Sequence, residues 1–147
     1  MMLLDPDALV DFLSGQYDER QAEWFKLHPE RPHTTALAVA EVLHYVESMD
    51  ATQQMLASGA VRRALEGPLD RRVVPFDVEC AHHLARLALQ QRDDGAPYPL
   101  ALLMTAASAL RYRAELLTHR PEDYAGLRRC HRQPVARIAP LSTAGCR

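Results

Sequence analysis

The first seven residues of the chain limit its fold more than any other segment. Met1 to Leu4 are all apolar, and the run stops at Asp5-Pro6-Asp7. A short, unbroken apolar run is typical of a strand that is buried on both faces, and proline is tolerated in the first turn of a helix. The sequence therefore predicts a strand of a parallel sheet followed directly by a helix, which is the beginning of an α/β domain.

The rest of the chain continues this alternation. With 147 residues, 48% of them hydrophobic, it has the length of one ordinary domain, so we expect a single domain over residues 1–147. Helical periodicity predicts helices at Ala8–Leu13, Glu19–Leu27, Leu37–Ser48, Ala51–Glu66, Asp77–Gln91 and Leu100–Tyr112. Further strands are predicted at Val73–Val74, Glu115–Thr118 and Val135–Ala139, and Thr34-Thr35 is either a short strand or a helix entry. This order indicates a central parallel sheet flanked by helices.

Charge and cysteine content exclude several kinds of protein. The net charge of -2 gives no overall attraction to nucleic acid, so any such ligand must be held locally or through a metal. Three widely spaced cysteines, Cys80, Cys130 and Cys146, indicate neither a disulfide framework nor a zinc site. The N-terminus resembles neither a signal peptide nor a membrane span. We therefore expect a cytoplasmic protein that is not bound to a membrane.

Two carboxylates stand out as candidate functional groups. Asp5 follows the first strand directly, and ligands of open α/β sheets bind beyond the carboxyl ends of the strands. The alternative is that Asp5 or Asp7 only caps the following helix. Glu41 interrupts an apolar helical stretch, where a carboxylate needs a cation or a hydrogen-bond donor, unless it falls on the exposed face of the helix.

Taken together, these segments resemble the PIN domain family, and most closely its VapC-like toxin branch. Residues 2–9 are similar to the opening of the family, with Pro6 and Asp7 at positions where a small polar pair is usual. Residues 36–43 resemble its second acidic helix, and residues 73–77 resemble the strand-to-helix step that follows. Residues 95–124, from the proline-rich loop through the Ala-rich helix to Tyr124, resemble its C-terminal signature. The resemblance implies a three-layer PIN-like fold.

The same resemblance implies an activity, which is cleavage of single-stranded RNA by a nuclease of the hydrolase class. Four acids of the family bind one or two Mg²⁺ or Mn²⁺ ions. The first two correspond to Asp5 and Glu41, but the third position holds Leu102 and the fourth holds Arg120. Asp123 matches a further acid of the motif and is a third candidate metal ligand. The replacements leave open whether the protein is an enzyme.

Arg120 suggests how the altered site could work. A guanidinium beside Asp5 and Glu41 could act as their counter-ion in place of a metal, and it would lower the pKa of both carboxyl groups. Alternatively, Arg120 is simply an arginine that faces solvent. Four other residues are possible auxiliaries of the site: Asp7, Asp94, Thr118 and His119.

The sequence leaves three function classes open. The first is a divergent or impaired Mg²⁺-dependent endoribonuclease of toxin-antitoxin type, with RNA as substrate and an antitoxin-like protein as partner. The second is a non-catalytic PIN-fold protein that binds protein or RNA, with Arg120 replacing the metal. The third is an unrelated small-molecule enzyme at the same sheet edge. A homodimer is expected through apolar residues of two helices, namely Leu43, Val46, Met49, Met55 and Leu56.

Overall fold

The computed structural model describes residues 1–15, 22, 26–27 and 31–128, and the backbone of 138–140. Its centre is a sheet of five parallel strands in the order β3-β2-β1-β4-β5. The strands are β1 (Met2–Leu4), β2 (His33–Thr35), β3 (Val73–Val74), β4 (Glu115–Thr118) and β5 (Ile138–Pro140). The predicted α/β class with a central parallel sheet is confirmed.

Helices cover both faces of this sheet. They are α1 (Pro6–Ser14), α2 (Ala36–Glu47), α3 (Ala51–Glu66), α4 (Val78–Leu87) and α5 (Leu100–Tyr112), followed by a 3₁₀ helix at Pro121–Arg128. Side chains of a strand point alternately to opposite faces. Met2, Leu4 and Leu117 therefore join the core under α1, α2 and α3, whereas Leu3 and Leu116 join the core under α4 and α5. The result is the three-layer arrangement expected from the sequence.

The strand order places a change of direction at β1. From this central strand the chain adds β2 and β3 on one side, and later β4 and β5 on the other. The residue after β1 is Asp5, whose backbone N–H donates a hydrogen bond to the Leu117 carbonyl at 3.1 Å. Asp5 thus lies at the carboxyl edge of the sheet, at the point where open α/β sheets bind their ligands.

Local signals explain the ends of two elements. Gly15 stops α1 with a left-handed φ of 66°, a conformation that glycine adopts without steric cost. The two interpretations of Thr34-Thr35 are both right, because these residues form β2 and the Thr35 hydroxyl then caps α2 by accepting from the Ala38 N–H at 2.9 Å.

Three predicted elements differ in extent or lie outside the described residues. Helix α4 ends at Leu87 and not near Gln91, because Gln91 pairs with Pro97 in an isolated antiparallel bridge. The predicted helix over residues 19–27 falls mostly on residues that are not described. Of the predicted last strand, only its final part is described, as β5. Among the helices of the described residues, none has the length and apolar character needed to cross a bilayer.

Candidate active site

One small cavity at the carboxyl edge of the sheet gathers the residues that the sequence singled out. We call it the acidic cavity; its volume is about 180 Å³. It collects side chains from the ends of β1 and β4, from α2 and α5, and from the 3₁₀ helix. Its lining includes Asp5, Glu41, Leu102, Thr105, Thr118, Arg120, Asp123 and Tyr124. Asp5 and Glu41 therefore line the same cavity, and their roles as catalytic residues and metal ligands stay predictions.

Asp5 is the most enclosed acid of the cavity, with a relative exposure of 3%. Its Oδ1 accepts a hydrogen bond from the Ala8 N–H at 2.8 Å, so the carboxylate also caps α1. The two interpretations of Asp5 are thus compatible. Burial raises the pKa of Asp5, although hydrogen bonds from the Thr118 side chain and from the Ala8 N–H act in the opposite direction. The carboxylate is rigidly held, and its negative charge is incompletely compensated.

Glu41 approaches the same cavity from α2. The side chain is half-buried, so it is not on the freely exposed face of the helix. Its Oε1 is buried and has no hydrogen-bond partner among the residues that the structure describes. Burial raises the pKa of Glu41, the charge of Asp7 raises it further, and the charge of Arg120 opposes both. A buried carboxylate oxygen without a donor is costly, so this atom marks a place where a cation or a donor is missing.

Arg120 does not form the contacts that the counter-ion hypothesis predicted. Its Nη2 lies 2.9 Å from Asp7 Oδ2 and its Nε lies 3.6 Å from Asp123 Oδ2. Among the described residues, its ion pairs go to these two acids and not to Asp5 or Glu41. The predicted lowering of both pKa values is also wrong, since the pKa of Asp5 and of Glu41 is raised. Burial of Asp5 explains why Arg120 does not contact it, because the guanidinium would have to leave the solvent-exposed rim and lose its hydration to reach this carboxylate.

The third and fourth positions of the expected acid set have different surroundings. Leu102, on the first turns of α5, lines the acidic cavity and brings no ligand to it. Asp123 lines the cavity as well, but its carboxylate faces Arg120. In the part of the chain that the structure describes, no group of three or more His, Cys, Asp or Glu side chains is arranged to hold a metal ion. Metal binding by Asp5, Glu41 and Asp123 stays a prediction.

The possible auxiliary residues separate into two groups. Thr118 belongs to the site, because its side chain hydrogen-bonds Asp5 and its Oγ1 also accepts from the Arg120 N–H at 3.0 Å. Asp7 takes part through Arg120. Asp94 does not line the acidic cavity; it accepts from the Ala96 N–H at 3.0 Å within its own turn and lies 3.6 Å from Arg92. The structure therefore does not bring Asp94 to the acidic cavity as an auxiliary of the site.

His119 lies in a second, larger space beside the acidic cavity. We call it the outer cavity; its volume is about 560 Å³, and it shares Glu41 and Arg120 with the acidic cavity. The Nε2 of His119 lies 2.5 Å from Asp11 Oδ2. Tyr45, a residue that is 58% exposed, also lines the outer cavity.

Sequence reasoning missed Tyr124, Thr105 and Asp11. Asp11 follows Asp7 by one helical turn, so the i, i+4 spacing could have placed both acids on one face of α1. Tyr124 is buried beside Asp5, and burial raises the pKa of its hydroxyl. The sequence placed Tyr124 only at the end of the C-terminal signature, because its position beside Asp5 depends on the 3₁₀ helix. Thr105 likewise reaches the cavity only through the packing of α5.

The apolar residues proposed for dimerisation have different exposures. Leu43, Met55 and Leu56 are exposed to 41%, 69% and 65%. Val46 is buried at 3% in the core under α2, so it offers no surface and its assignment was wrong. Met49 lines an apolar groove of about 190 Å³ between α1, α2 and α3.

Comparison with known proteins gives a consistent assignment. The family model for the PIN domain matches residues 2–128. No curated protein sequence matches the chain. Similar folds occur among solved structures, two of which are VapBC2 from Rickettsia felis bound to a DNA fragment from its promoter, and FitAB bound to the IR36 DNA fragment. A third is VapBC-5 of the VapBC family of toxin-antitoxin systems from Mycobacterium tuberculosis.

These structural similarities extend over nearly the whole chain. The Rickettsia chain has a TM-score of 0.74 at 15% identity, with 95% of this chain and 97% of that chain covered. The FitAB chain has a TM-score of 0.75 at 19% identity, with 96% of this chain and 95% of that chain covered. The Mycobacterium chain has a TM-score of 0.66 at 21% identity, with 95% of this chain and 97% of that chain covered. At such identities the likeness shows a common fold.

Proposed function

Because this chain belongs to the PIN domain family, we propose that it is a VapC-like, divalent-metal-dependent endoribonuclease of toxin-antitoxin type. One observation carries the proposal. Asp5 and Glu41 face the same cavity, neither forms an ion pair among the described residues, and Glu41 Oε1 has no hydrogen-bond donor. Arg120 forms its ion pairs with Asp7 and Asp123, and its charge lowers the pKa of Glu41 less than burial and Asp7 raise it.

The two acids fit a hydrated Mg²⁺ or Mn²⁺ ion. Mg²⁺ usually keeps several waters and is held by one or two carboxylates, so a set of three acids is not required. The raised pKa values of Asp5 and Glu41 reflect burial first and the nearby charge of Asp7 second. A divalent cation held by the two acids would favour their charged forms and offset that cost.

Each side chain of the cavity has a role in the proposed reaction. When bound, the metal would supply Lewis-acid activation of a water and neutralise charge on the scissile phosphodiester of RNA. Thr118 and the Ala8 N–H hold Asp5 in a fixed orientation. Leu102 and Tyr124 form an apolar wall that excludes bulk water and strengthens electrostatic interactions. Arg120 links α1 to the 3₁₀ helix by its contacts to Asp7 and Asp123.

Partners follow from the same assignment. We propose an antitoxin-like protein as partner in the cytoplasm, since VapBC and FitAB assemblies are among the structurally similar proteins. The apolar groove between α1, α2 and α3 suits an apolar segment of such a partner. A homodimer would use the exposed Leu43, Met55 and Leu56 of α2 and α3.

A second candidate function is binding without catalysis. It is favoured by Leu102 and Arg120 at two expected acid positions, and by the lack of a three-ligand cluster among the described residues. In that case the protein holds RNA or a protein partner and no hydrolysis follows.

Metal binding and cleavage, assayed together, separate the two functions. Mn²⁺ titration by calorimetry and cleavage of a labelled single-stranded RNA should both be positive for the unmodified protein, and both should be lost in Asp5→Asn and Glu41→Gln. Asp50→Asn is a matched control, because Asp50 caps α3 in the way that Asp5 caps α1 and lies outside the acidic cavity. Mn²⁺ binding without cleavage by the unmodified protein would support the binding function. RNA cleavage that persists in Asp5→Asn would contradict the metal mechanism.

A further inference from the structure

We propose that the outer cavity binds a nucleobase of single-stranded RNA, with the Tyr45 ring as its stacking surface. This inference rests on the proposed function, since it takes RNA as the substrate. The cavity, of about 560 Å³, lies within the usual size range of ligand pockets, roughly 300–1,000 Å³. It borders the acidic cavity through Glu41 and Arg120, so a base held there would keep its own phosphate beside the acids.

The position of Tyr45 on α2 is the first observation that supports the proposal. Tyr45 follows Glu41 by four residues, so the two side chains project from the same face of the helix. Tyr45 is 58% exposed, although large aromatic residues normally bury much of their surface. A base can stack on such a ring whatever its identity, because every base has a π-face.

The other walls of the outer cavity suit a planar, polar-edged ligand. Pro6, Val10 and Val42 provide apolar surface in the same cavity as Tyr45. The rim is polar, because His119 Nε2 contacts Asp11 Oδ2 and Arg120 Nη2 contacts Asp7 Oδ2 there. The rim therefore offers both nitrogen groups and carboxylate oxygens for hydrogen bonds. Such a combination fits the apolar faces and polar edges of a nucleobase.

The same walls distinguish this cavity from a groove for a protein helix. Tyr45, Val10 and Val42 also border the neighbouring apolar groove, which has almost no polar lining. An apolar peptide segment would be better accommodated in that groove, where no ion pairs must lose their hydration. The polar rim beside the acids therefore favours nucleic acid as the occupant of the outer cavity.

The test compares the effect of removing the Tyr45 ring with the effect of removing one base of the RNA. Affinities for a fluorescein-labelled single-stranded RNA are measured by anisotropy in Ca²⁺ and again in EDTA, with an abasic site placed at each position in turn. Variants are Tyr45→Ala, Tyr45→Phe and, as an exposed apolar control in the turn after α4, Leu89→Ala. Stacking of one base is worth a factor of about five to a hundred. Tyr45→Ala should weaken binding by such a factor, whereas Tyr45→Phe and Leu89→Ala should bind like the unmodified protein.

Coupling is the decisive result. At one position of the RNA, the abasic site should weaken binding to the unmodified protein and have no further effect on Tyr45→Ala. The inference would be overturned if, at every position, the abasic site and Tyr45→Ala weakened RNA binding independently, so that the two losses multiplied. It would also be overturned if Tyr45→Ala kept full RNA affinity. Neither result would contradict the proposed function. Loss of self-association in Tyr45→Ala at unchanged RNA affinity, seen by sedimentation, would assign the ring to a protein interface. An unmodified protein that binds no RNA would overturn the proposed function together with the inference.

Discussion

Asp5 combines a structural and an electrostatic task, and two substitutions separate them. An asparagine can still accept the hydrogen bond from the Ala8 N–H, now 2.8 Å from Oδ1, whereas an alanine cannot. Loss of a helix N-cap costs about 1 kcal/mol, which corresponds to about 2–4 °C in melting temperature for a chain of this size. In EDTA, Asp5→Asn should therefore melt about 2–4 °C above Asp5→Ala.

The charge of Asp5 sets the comparison with the unmodified protein. Burial raises the pKa of Asp5, so the folded protein holds this proton more tightly than the unfolded chain. The stabilisation that protonation provides is fully present below the unfolded pKa, about 3.9, and is lost as the pH rises through the folded pKa. At pH 7 the unmodified protein carries the cost of a buried charge. Asp5→Asn should therefore be the more stable protein in EDTA at pH 7, with a difference that shrinks as the pH falls towards 4.

Metal reverses this order. A ligand at a hundred times its Kd stabilises a folded protein by about 2.7 kcal/mol, so saturating Mg²⁺ or Mn²⁺ should raise the melting temperature of the unmodified protein by several degrees. The melting temperature of Asp5→Asn should rise by almost nothing when Mg²⁺ or Mn²⁺ is added. Circular dichroism melts in EDTA, Mg²⁺ and Mn²⁺ at pH 7 and pH 5 measure all three effects. Equal metal stabilisation of both proteins would refute Asp5 as a ligand, and an Asn variant that melts lower in EDTA at pH 7 would refute the argument from burial.

Three further substitutions test other parts of the structure. Arg120→Ala removes the cation beside Asp7 and should strengthen Mn²⁺ binding by up to about fivefold, since exposed ion pairs contribute at most about 1 kcal/mol; weaker binding by calorimetry would show that Arg120 supports the site. Leu102→Asp adds a carboxylate to the acidic cavity and should increase Mn²⁺ affinity by about tenfold or more, whereas Leu100→Asp, on the exposed side of the same helix, should not. Leu117→Ala should lower the free energy of unfolding, measured in urea, by about 2–5 kcal/mol, because Leu117 is fully buried in the core. A smaller loss would mean that neighbouring core side chains move in to fill the space left by the leucine.

Much of the fold could be predicted from the sequence because its signals are local. The apolar run before Asp5 identifies β1, and the periodicity of residues 51–66 identifies α3 to the residue. Glycine after Ser14 ends α1 as expected. Such features depend on hydrophobic patterning and backbone preferences within a few residues. That Asp5 and Glu41 line one cavity agrees with the resemblance to the PIN family and with the rule that places ligand sites at the carboxyl edge of the sheet.

The contacts of charged side chains at the site were decided by tertiary structure. Arg120 was expected to reach Asp5 or Glu41, but it pairs with Asp7 and Asp123 at the rim, where its guanidinium keeps most of its hydration. His119 contacts Asp11 of α1 because helix α1 and the end of β4 approach each other in the folded chain. The sequence alone therefore determined most of the sheet and the helices of this protein, and it singled out Asp5 and Glu41 as candidate site residues. Which carboxylate each cation would neutralise, and which oxygen would be left without a partner, depended on burial and on distances between segments far apart along the chain.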